Sequence, residues 1–399
     1  MNALNRPTTL LLNAGHALDH MFLLIFATAV TSIAADFGFS RWEDLMPYGA
    51  GAFLLFGIGS APSGRLGDLW GRRKMMIIFF AGMGLSAVLC GLVQNAWQMA
   101  LALTLMGAFS SIYHPVGIPM LLSQASRPGL TIGVNGLAGN LGIAVAAIVT
   151  GLLVKYLGWR AAFVIPGLFC LACAYAFALI APEETEPPAR STRKATQPLE
   201  PAALARLFLI MTFAAISSSL LFNFTTNGNG QLLSERFNGI VEDPAQLGAL
   251  LALVYTIASL AQVIVGKLID RFPMKRLYLV IVLAQIPLFL LAAQAQGWTL
   301  FWFLTGFMIM VFGAIPFTEA MVVRFVDDRL RSRVSGMRMA VSFGISSLAV
   351  YLLGPVVKAG GFATLLVAMA GIAACTAIFV LMLPDPKSSP AADAATATS

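Results

Sequence analysis

The sequence predicts an all-α membrane protein, with twelve spanning helices in two pseudo-symmetric six-helix bundles. Three observations carry that reading. Apolar residues fill 58% of the 399 positions and charged residues 11%, with a mean hydropathy of +0.83; a soluble domain is nearer half apolar and a quarter charged. Apolar stretches of roughly 20 residues or more recur twelve times, enough for helices to cross a ~30 Å hydrocarbon layer. A stretch rich in proline and charge, APEETEPPARSTRKATQPLEP at 181–201, separates the first six from the last six.

The twelve segments fall near 10–34, 45–66, 75–93, 96–123, 130–155, 160–181, 205–235, 245–269, 276–294, 298–326, 332–356 and 361–383. The organisation is therefore a first bundle (1–181), a cytoplasmic linker (182–204), a second bundle (205–384) and a disordered tail (385–399). The first segment carries His16, Asp19 and His20, which makes it too polar and too long for a cleaved signal peptide. Placing both termini in the cytoplasm puts Arg65, Arg72, Arg73, Lys74, Lys267 and Arg271 among many inside cations. Only Arg41, Lys155, Arg160, Arg236 and Lys358 are then left outside, as the positive-inside rule requires. The same bias accounts for the pI near 9.4 without nucleic acid. Cys90, Cys170, Cys173 and Cys375 all fall in apolar segments, and the Cys170/Cys173 pair has no second pair beside it to complete a metal site.

The two halves echo one another. GRLGDLWGRRK begins at Gly64 and GKLIDRFPMKR at Gly266, each after the second helix of its half. At that fixed offset Asp68 pairs with Asp270, Arg73 with Lys275 and Gly142 with Gly344. Two homologous six-helix halves are the pattern of parallel-repeat transporters, whose substrate site lies between the halves near mid-membrane.

The GRLGDLWGRRK run closely resembles the loop 2–3 signature of the major facilitator superfamily, and with the helix count, linker and second copy the resemblance covers nearly the whole chain. It implies a cytoplasmic gate built from Gly64, Asp68, Gly71, Arg72 and Arg73, with Asp270 at the repeat, that latches the halves and breaks when the transporter opens inward. In residue terms, Asp68 can accept from a helix N-terminus or pair with Arg72, while Gly64 and Gly71 permit close backbone approach and special dihedrals. Within the superfamily, GHALDH at 15–20, the Tyr113-His114-Pro115 run and GNLG at 139–142 are similar to motifs of the fosmidomycin-resistance efflux group. Asp19 and His20 stand where that group has Asn and Asp. Leu103 occupies the place of a helix 4 arginine found in many proton-coupled members, and GNLGIA replaces the Gly-Pro-x-x-Gly-Gly of drug–proton antiporters, which puts classical multidrug antiport in doubt.

The resemblance also implies that helices 1, 4, 7 and 10 line a central cavity. Those segments hold the polar residues: His16, Asp19 and His20; Tyr113 and His114; Asn223, Thr225, Thr226, Asn227 and Asn229; Thr318 and Glu319. Buried ionisable groups are costly in a bilayer and usually face a cavity. His16, Asp19 and His20 share one helical face by their i, i+3, i+4 spacing. Three readings stay open for them: proton coupling through Asp19 with His16 or His114 as partner, a metal site of His16, His20 and His114, or buried polar groups that satisfy one another. Candidate substrate contacts are His20, Tyr113, Asn140, Asn223, Asn227, Glu319 and Arg338. Glu319 and Arg338 fall at similar depth and can neutralise each other, whereas an unpaired Arg338 would receive an anion. Asn223, Asn227 and the Gly-Asn-Gly at 228–230 predict a broken helix 7.

No GxxxxGK[ST] run is present, so the energy source is an ion gradient, with protons expected. The function expected is proton-coupled export of a small organic compound by a monomer in the inner membrane. The alternatives are uptake of a small organic anion and export of a metal or metal chelate. Neither a cofactor nor enzymatic activity is expected, and the partners are the substrate, protons and the bilayer.

Overall fold

The structure, a computed structural model, describes residues 6–123, 125, 128–183, 201–269, 271–325 and 328–383, without the side chains of 128–129, 201–208, 318–319, 322–339 and 343. Nearly all of it is helix: α1 Arg6–Asp36, α2 Ala50–Trp70, α3 Arg72–Leu92, α4 Ala96–Leu122, α5 Pro128–Leu157, α6 Trp159–Ile180, α7 Pro201–Arg236, α8 Pro244–Ile269, α9 Met274–Gln294 and α10 Gly297–Phe325. The final helix, Asp328–Leu381, breaks at Gly361 (φ 71°, ψ 174°), which divides it into α11 and α12. Eleven of the described helices are long and apolar enough to cross a membrane, and the last of these holds both α11 and α12, so the chain makes twelve passes. Large apolar side chains such as Trp97, Leu101, Phe169 and Trp302 point outward, as a surface facing lipid requires.

Local sequence explains the breaks. Gly71 joins α2 to α3 at φ 91°, a region closed to most L-residues, and so provides the sharp reversal within the GRLGDLWGRRK run. In α4 the helix widens to a π-turn over Tyr113–Gly117, where Pro115 has no N–H to donate. The predicted break in α7 is corrected, because that helix is continuous from Pro201 to Arg236. Two of its asparagines donate back into the helix: Asn223 Nδ2 to Ser219 O (2.9 Å) and Asn227 Nδ2 to Asn223 O (3.0 Å). Back-bonding of this kind consumes side-chain polarity without opening the backbone.

The halves meet chiefly through α5 against α8 and α2 against α11. At the end away from the linker they touch closely. A Cβ on Gly151 would lie 2.5 Å from Pro244 O, and one on Gly248 2.5 Å from Ala147 O. Thr31 donates to Gln231 Oε1 (2.8 Å), Lys358 pairs with Asp44 (2.5 Å) and Lys155 with Asp243. Asn140 donates to Gln262 further toward the linker end. About one helical turn beyond that contact, a Cβ on Gly136 of α5 or on Gly266 of α8 would meet nothing within 4 Å. Among the described residues α5 and α8 are therefore joined at the far end and apart at the linker end.

The Lys155 ammonium beside Asp243 holds that carboxyl below the ordinary carboxylate range. A depressed carboxyl keeps its pairing above its ordinary value and loses it only as pH falls through the lowered one. The pair is therefore intact at neutral pH. Lys155→Glu or Asp243→Lys is expected to lengthen the distance between spin labels at the far ends of α5 and α8, and the double exchange to restore it. No change in the single variants would show that the other contacts hold this end without the pair.

Candidate functional site

Three turns into α1, His16, Asp19 and His20 face the π-turn of α4. That turn brings His114 round to meet them. The ring centroids of His16 and His114 lie 5.1 Å apart, and those of His20 and His114 5.9 Å. Asp19 is fully buried; its Oδ1 accepts from Ser110 Oγ, and its Oδ2, which makes no hydrogen bond, lies 3.7 Å from His114 Nε2.

A second layer fixes these rings. His16 Nδ1 lies 2.8 Å from the backbone oxygen of Asn135 on α5, and a carbonyl can only accept, so Nδ1 carries the hydrogen. That leaves His16 Nε2 as an acceptor, 3.2 Å from His20 Nε2. Tyr113 stacks on His16 at 4.7 Å and 18° and donates to Leu12 O (2.7 Å). Asn135 Nδ2 reaches both Tyr113 Oη (2.7 Å) and Asn13 Oδ1 (2.9 Å). Glycines permit the close packing. A Cβ on Gly139 would lie 2.7 Å from His16 Nε2, and one on Gly142 would collide with Ala17 O. The GNLG run is thus the surface on which α1 rests.

Beside this cluster, between the bundles, is a cavity with about 90 Å³ open to water. His20, Leu23 and Leu24 form its α1 wall, and Phe53, Phe56 and Ile143 contribute apolar surface from α2 and α5. The second bundle adds Ser219, Phe222, Asn223 and Thr226 from α7 and Ser346 from α11. Asn223 Nδ2 donates to Ser346 Oγ (2.8 Å), which ties the two polar walls together.

The expected site residues separate into groups. His20 and Asn223 line the cavity. His16, Asp19 and His114 lie behind His20. Tyr113 is fully buried and supports His16 rather than facing the cavity, Asn140 is engaged by Gln262, and Asn227 back-bonds within α7. The side chains of Glu319 and Arg338, and residue Asp270, lie outside the described residues. At the linker end Gly64 packs near Pro115, Arg72 donates to Pro119 O (3.1 Å) and Arg73 to Ala181 O (2.9 Å) and Ala178 O (2.5 Å). These bonds stay within the first bundle. Asp68 is exposed and makes no hydrogen bond or ion pair among the described residues. Its expected pairing with Arg72 is not made, since Arg72 donates to Pro119 O instead, and the expected counterpart of its latch, Asp270, lies outside the described residues. The sequence reading missed Ser110, Asn135, Gln262 and Ser346. Their types carry no chemical signature, though Ser110 stands one turn before His114 on the same helix.

The Major Facilitator Superfamily matches over residues 12–238 and again over 211–398. This chain belongs to that superfamily. It is a multi-pass membrane transporter of small molecules, not an enzyme. A bacterial homologue of the human lysosomal transporter Spinster, in an inward-facing and occupied conformation, superposes with a TM-score of 0.77 over 94% of this chain and 96% of that one, at 16% identity. Among superfamily members of known sequence, the multidrug resistance protein MdtG of Citrobacter koseri is 24% identical over 82% of this chain and 81% of its own. The puromycin resistance protein pur8 of Streptomyces alboniger is 30% identical over 33% of this chain, and the probable actinorhodin transporter of Streptomyces coelicolor 29% over 41%. Those two matches span 27% and 29% of the Streptomyces proteins' own lengths.

Proposed function

We propose that this transporter exports a small organic compound across the bacterial inner membrane by alternating access, driven by the proton gradient, with both termini in the cytoplasm. The observation that carries the reading is the mid-membrane cavity walled by both bundles. Its surface combines aromatic rings with neutral polar groups, a lining suited to an organic molecule with few charges. Relatives named for drug, puromycin and actinorhodin handling favour export. Uptake of an organic anion is less well supported, since no arginine or lysine is among the described lining residues.

In this reading the structure's state is open at the cytoplasmic end. Gly64, Asp68, Gly71, Arg72 and Arg73 then meet the second bundle, near Asp270, only when that end closes. Asp19 places an ionisable carboxyl in the membrane interior beside the cavity. His16 and His114, read from the sequence as its partners in proton coupling, stand in the same cluster.

The test is growth of an efflux-deficient bacterial host carrying the transporter, against lipophilic cations, phosphonates, organic acids and aromatic antibiotics. The expected result is resistance to one chemical class, lost when a protonophore collapses the gradient. Sensitisation by the transporter would overturn export in favour of uptake, and resistance that survives the protonophore would remove the proton as driving ion.

A further inference from the structure

We infer that His16, His20 and His114 form a binding site for a divalent first-row transition metal of the Zn²⁺ or Co²⁺ type. The inference goes beyond export and does not depend on it. One nitrogen from each ring lies within 4.8 Å of the others. Tetrahedral coordination with bonds of about 2.0–2.1 Å sets ligand nitrogens about 3.3 Å apart. His16 Nε2 and His20 Nε2 are already 3.2 Å apart, joined in the metal-free protein by a hydrogen bond from His20 that a metal would replace as the His20 hydrogen passes to Nδ1. The third ring closes onto them by small side-chain rotations.

The surroundings are those of a ligand set rather than of three rings that merely pack. His16 donates its Nδ1 hydrogen to Asn135 O, which fixes the tautomer and aims the Nε2 lone pair at His20; ligating histidines are generally oriented in this way by a carbonyl or carboxylate behind them. Tyr113 stacked on His16 restricts rotation of that ring, and Phe56 lies edge-on to His114 (5.7 Å). Gly139 leaves room for the His16 ring where any Cβ would collide. The Asp19 carboxyl, 3.7 Å from His114, can ionise when a cation binds and so offset part of the ion's charge in the apolar interior. Imidazole nitrogen suits zinc, cobalt, nickel and copper, and does not suit magnesium or calcium, which take oxygen ligands.

Three protein ligands leave a fourth position open, as zinc sites that bind exogenous ligands do. His20 also faces the cavity, so that position is available to water or to a donor atom of a cavity occupant.

The chain has only three histidines, and all are in this cluster, so histidine-based binding can be assigned without ambiguity. The full chain would be purified through a tag that contains no histidine, stripped with a chelator, and titrated with Zn²⁺ by calorimetry and with Co²⁺ by visible absorption. One ion per chain is expected, with the intense absorption of four-coordinate Co²⁺. His20→Gln and His114→Gln should each weaken binding by at least about 100-fold, beyond the roughly 10–100-fold that loss of an outer contact costs. Cys170→Ser/Cys173→Ser should bind as wild type does. Size-exclusion profiles would confirm that each variant is folded, and the wild-type Co²⁺ spectrum decides the matter even if the histidine variants fail. Absence of Zn²⁺ and Co²⁺ binding to the wild type, affinity unchanged in both histidine variants, or loss of binding in the cysteine variant would each overturn the site. Efflux plays no part in this readout, so its failure and that of the export reading are separately visible.

Discussion

Asp19→Asn is expected to abolish transport while leaving the protein as stable as wild type or more so. The argument rests on what the carboxylate does not do for the fold. Asp19 is fully buried, one oxygen accepts from Ser110, and the other makes no hydrogen bond. A charge at the bilayer centre costs about 2.5–3.5 kcal/mol on insertion scales. If the carboxyl ionises during the cycle it also forfeits several kcal/mol of hydration, which a 3.7 Å approach to His114 recovers only in part. Asparagine has the same shape, keeps an acceptor for Ser110 and cannot ionise. Its thermal midpoint should therefore stay level or rise. Transport should fall by about 100-fold, equivalent to about 2.7 kcal/mol of lost coupling. Midpoint and transport would be read on the same preparation in detergent and in proteoliposomes. A wild-type transport rate in Asp19→Asn would remove this charge from the mechanism. A large fall in the midpoint would make Asp19 a structural group.

Most of the architecture could be read from apolar runs, because in a bilayer every backbone polar group must be satisfied within its own helix. The passes of α1 to α10 lie close to the segments read from the sequence. The junction of α11 and α12, read from the sequence between the segments 332–356 and 361–383, is made by Gly361 at positive φ. The α7 error has a local cause. Asn223, Asn227 and the neighbouring glycines have the composition of a break, yet i−4 back-bonding keeps the helix whole. In the candidate site, the shared face of His16, Asp19 and His20 follows from helical period alone. Ser110 and Asn135 do not, since they act through an ordinary hydroxyl and a main-chain oxygen brought from other helices. The cytoplasmic motif marks a third limit. Asp68 and Arg72 carry the recognisable pattern, but their contacts across the halves depend on which state the transporter occupies, and one sequence serves every state.

That dependence on state leads to a prediction at opposite ends of one helix. Gly151 meets the second bundle, and Gly136 stands one turn before Asn140, which donates to Gln262 of that bundle, but the two glycines meet different surroundings. A Cβ on Gly151 would sit 2.5 Å from the backbone oxygen of Pro244, and backbone gives way less readily than a side chain. Gly151→Leu should therefore force α5 and α8 apart at the far end. Overpacking of this kind costs about 1–3 kcal/mol, so the variant should unfold at a lower temperature and populate this state less. A Cβ on Gly136 would meet nothing within 4 Å, nor would one on Gly266 across the gap. Gly136→Leu should thus fold normally, with an unchanged or slightly higher midpoint because leucine favours helix by up to about 1 kcal/mol over glycine. Its penalty comes later in the cycle. If the bundles rock as rigid bodies, the linker end must close by bringing α5 and α8 together, as their far ends are now. A leucine at 136 would occupy the space that closure requires, and transport should drop at least about tenfold, or about 1.4 kcal/mol. The pair separates stability from cycling: Gly151→Leu lowers the midpoint, whereas Gly136→Leu stops transport in a stable protein. Full transport by Gly136→Leu would mean that α5 and α8 do not approach one another at this level, and that the linker end closes through other helices.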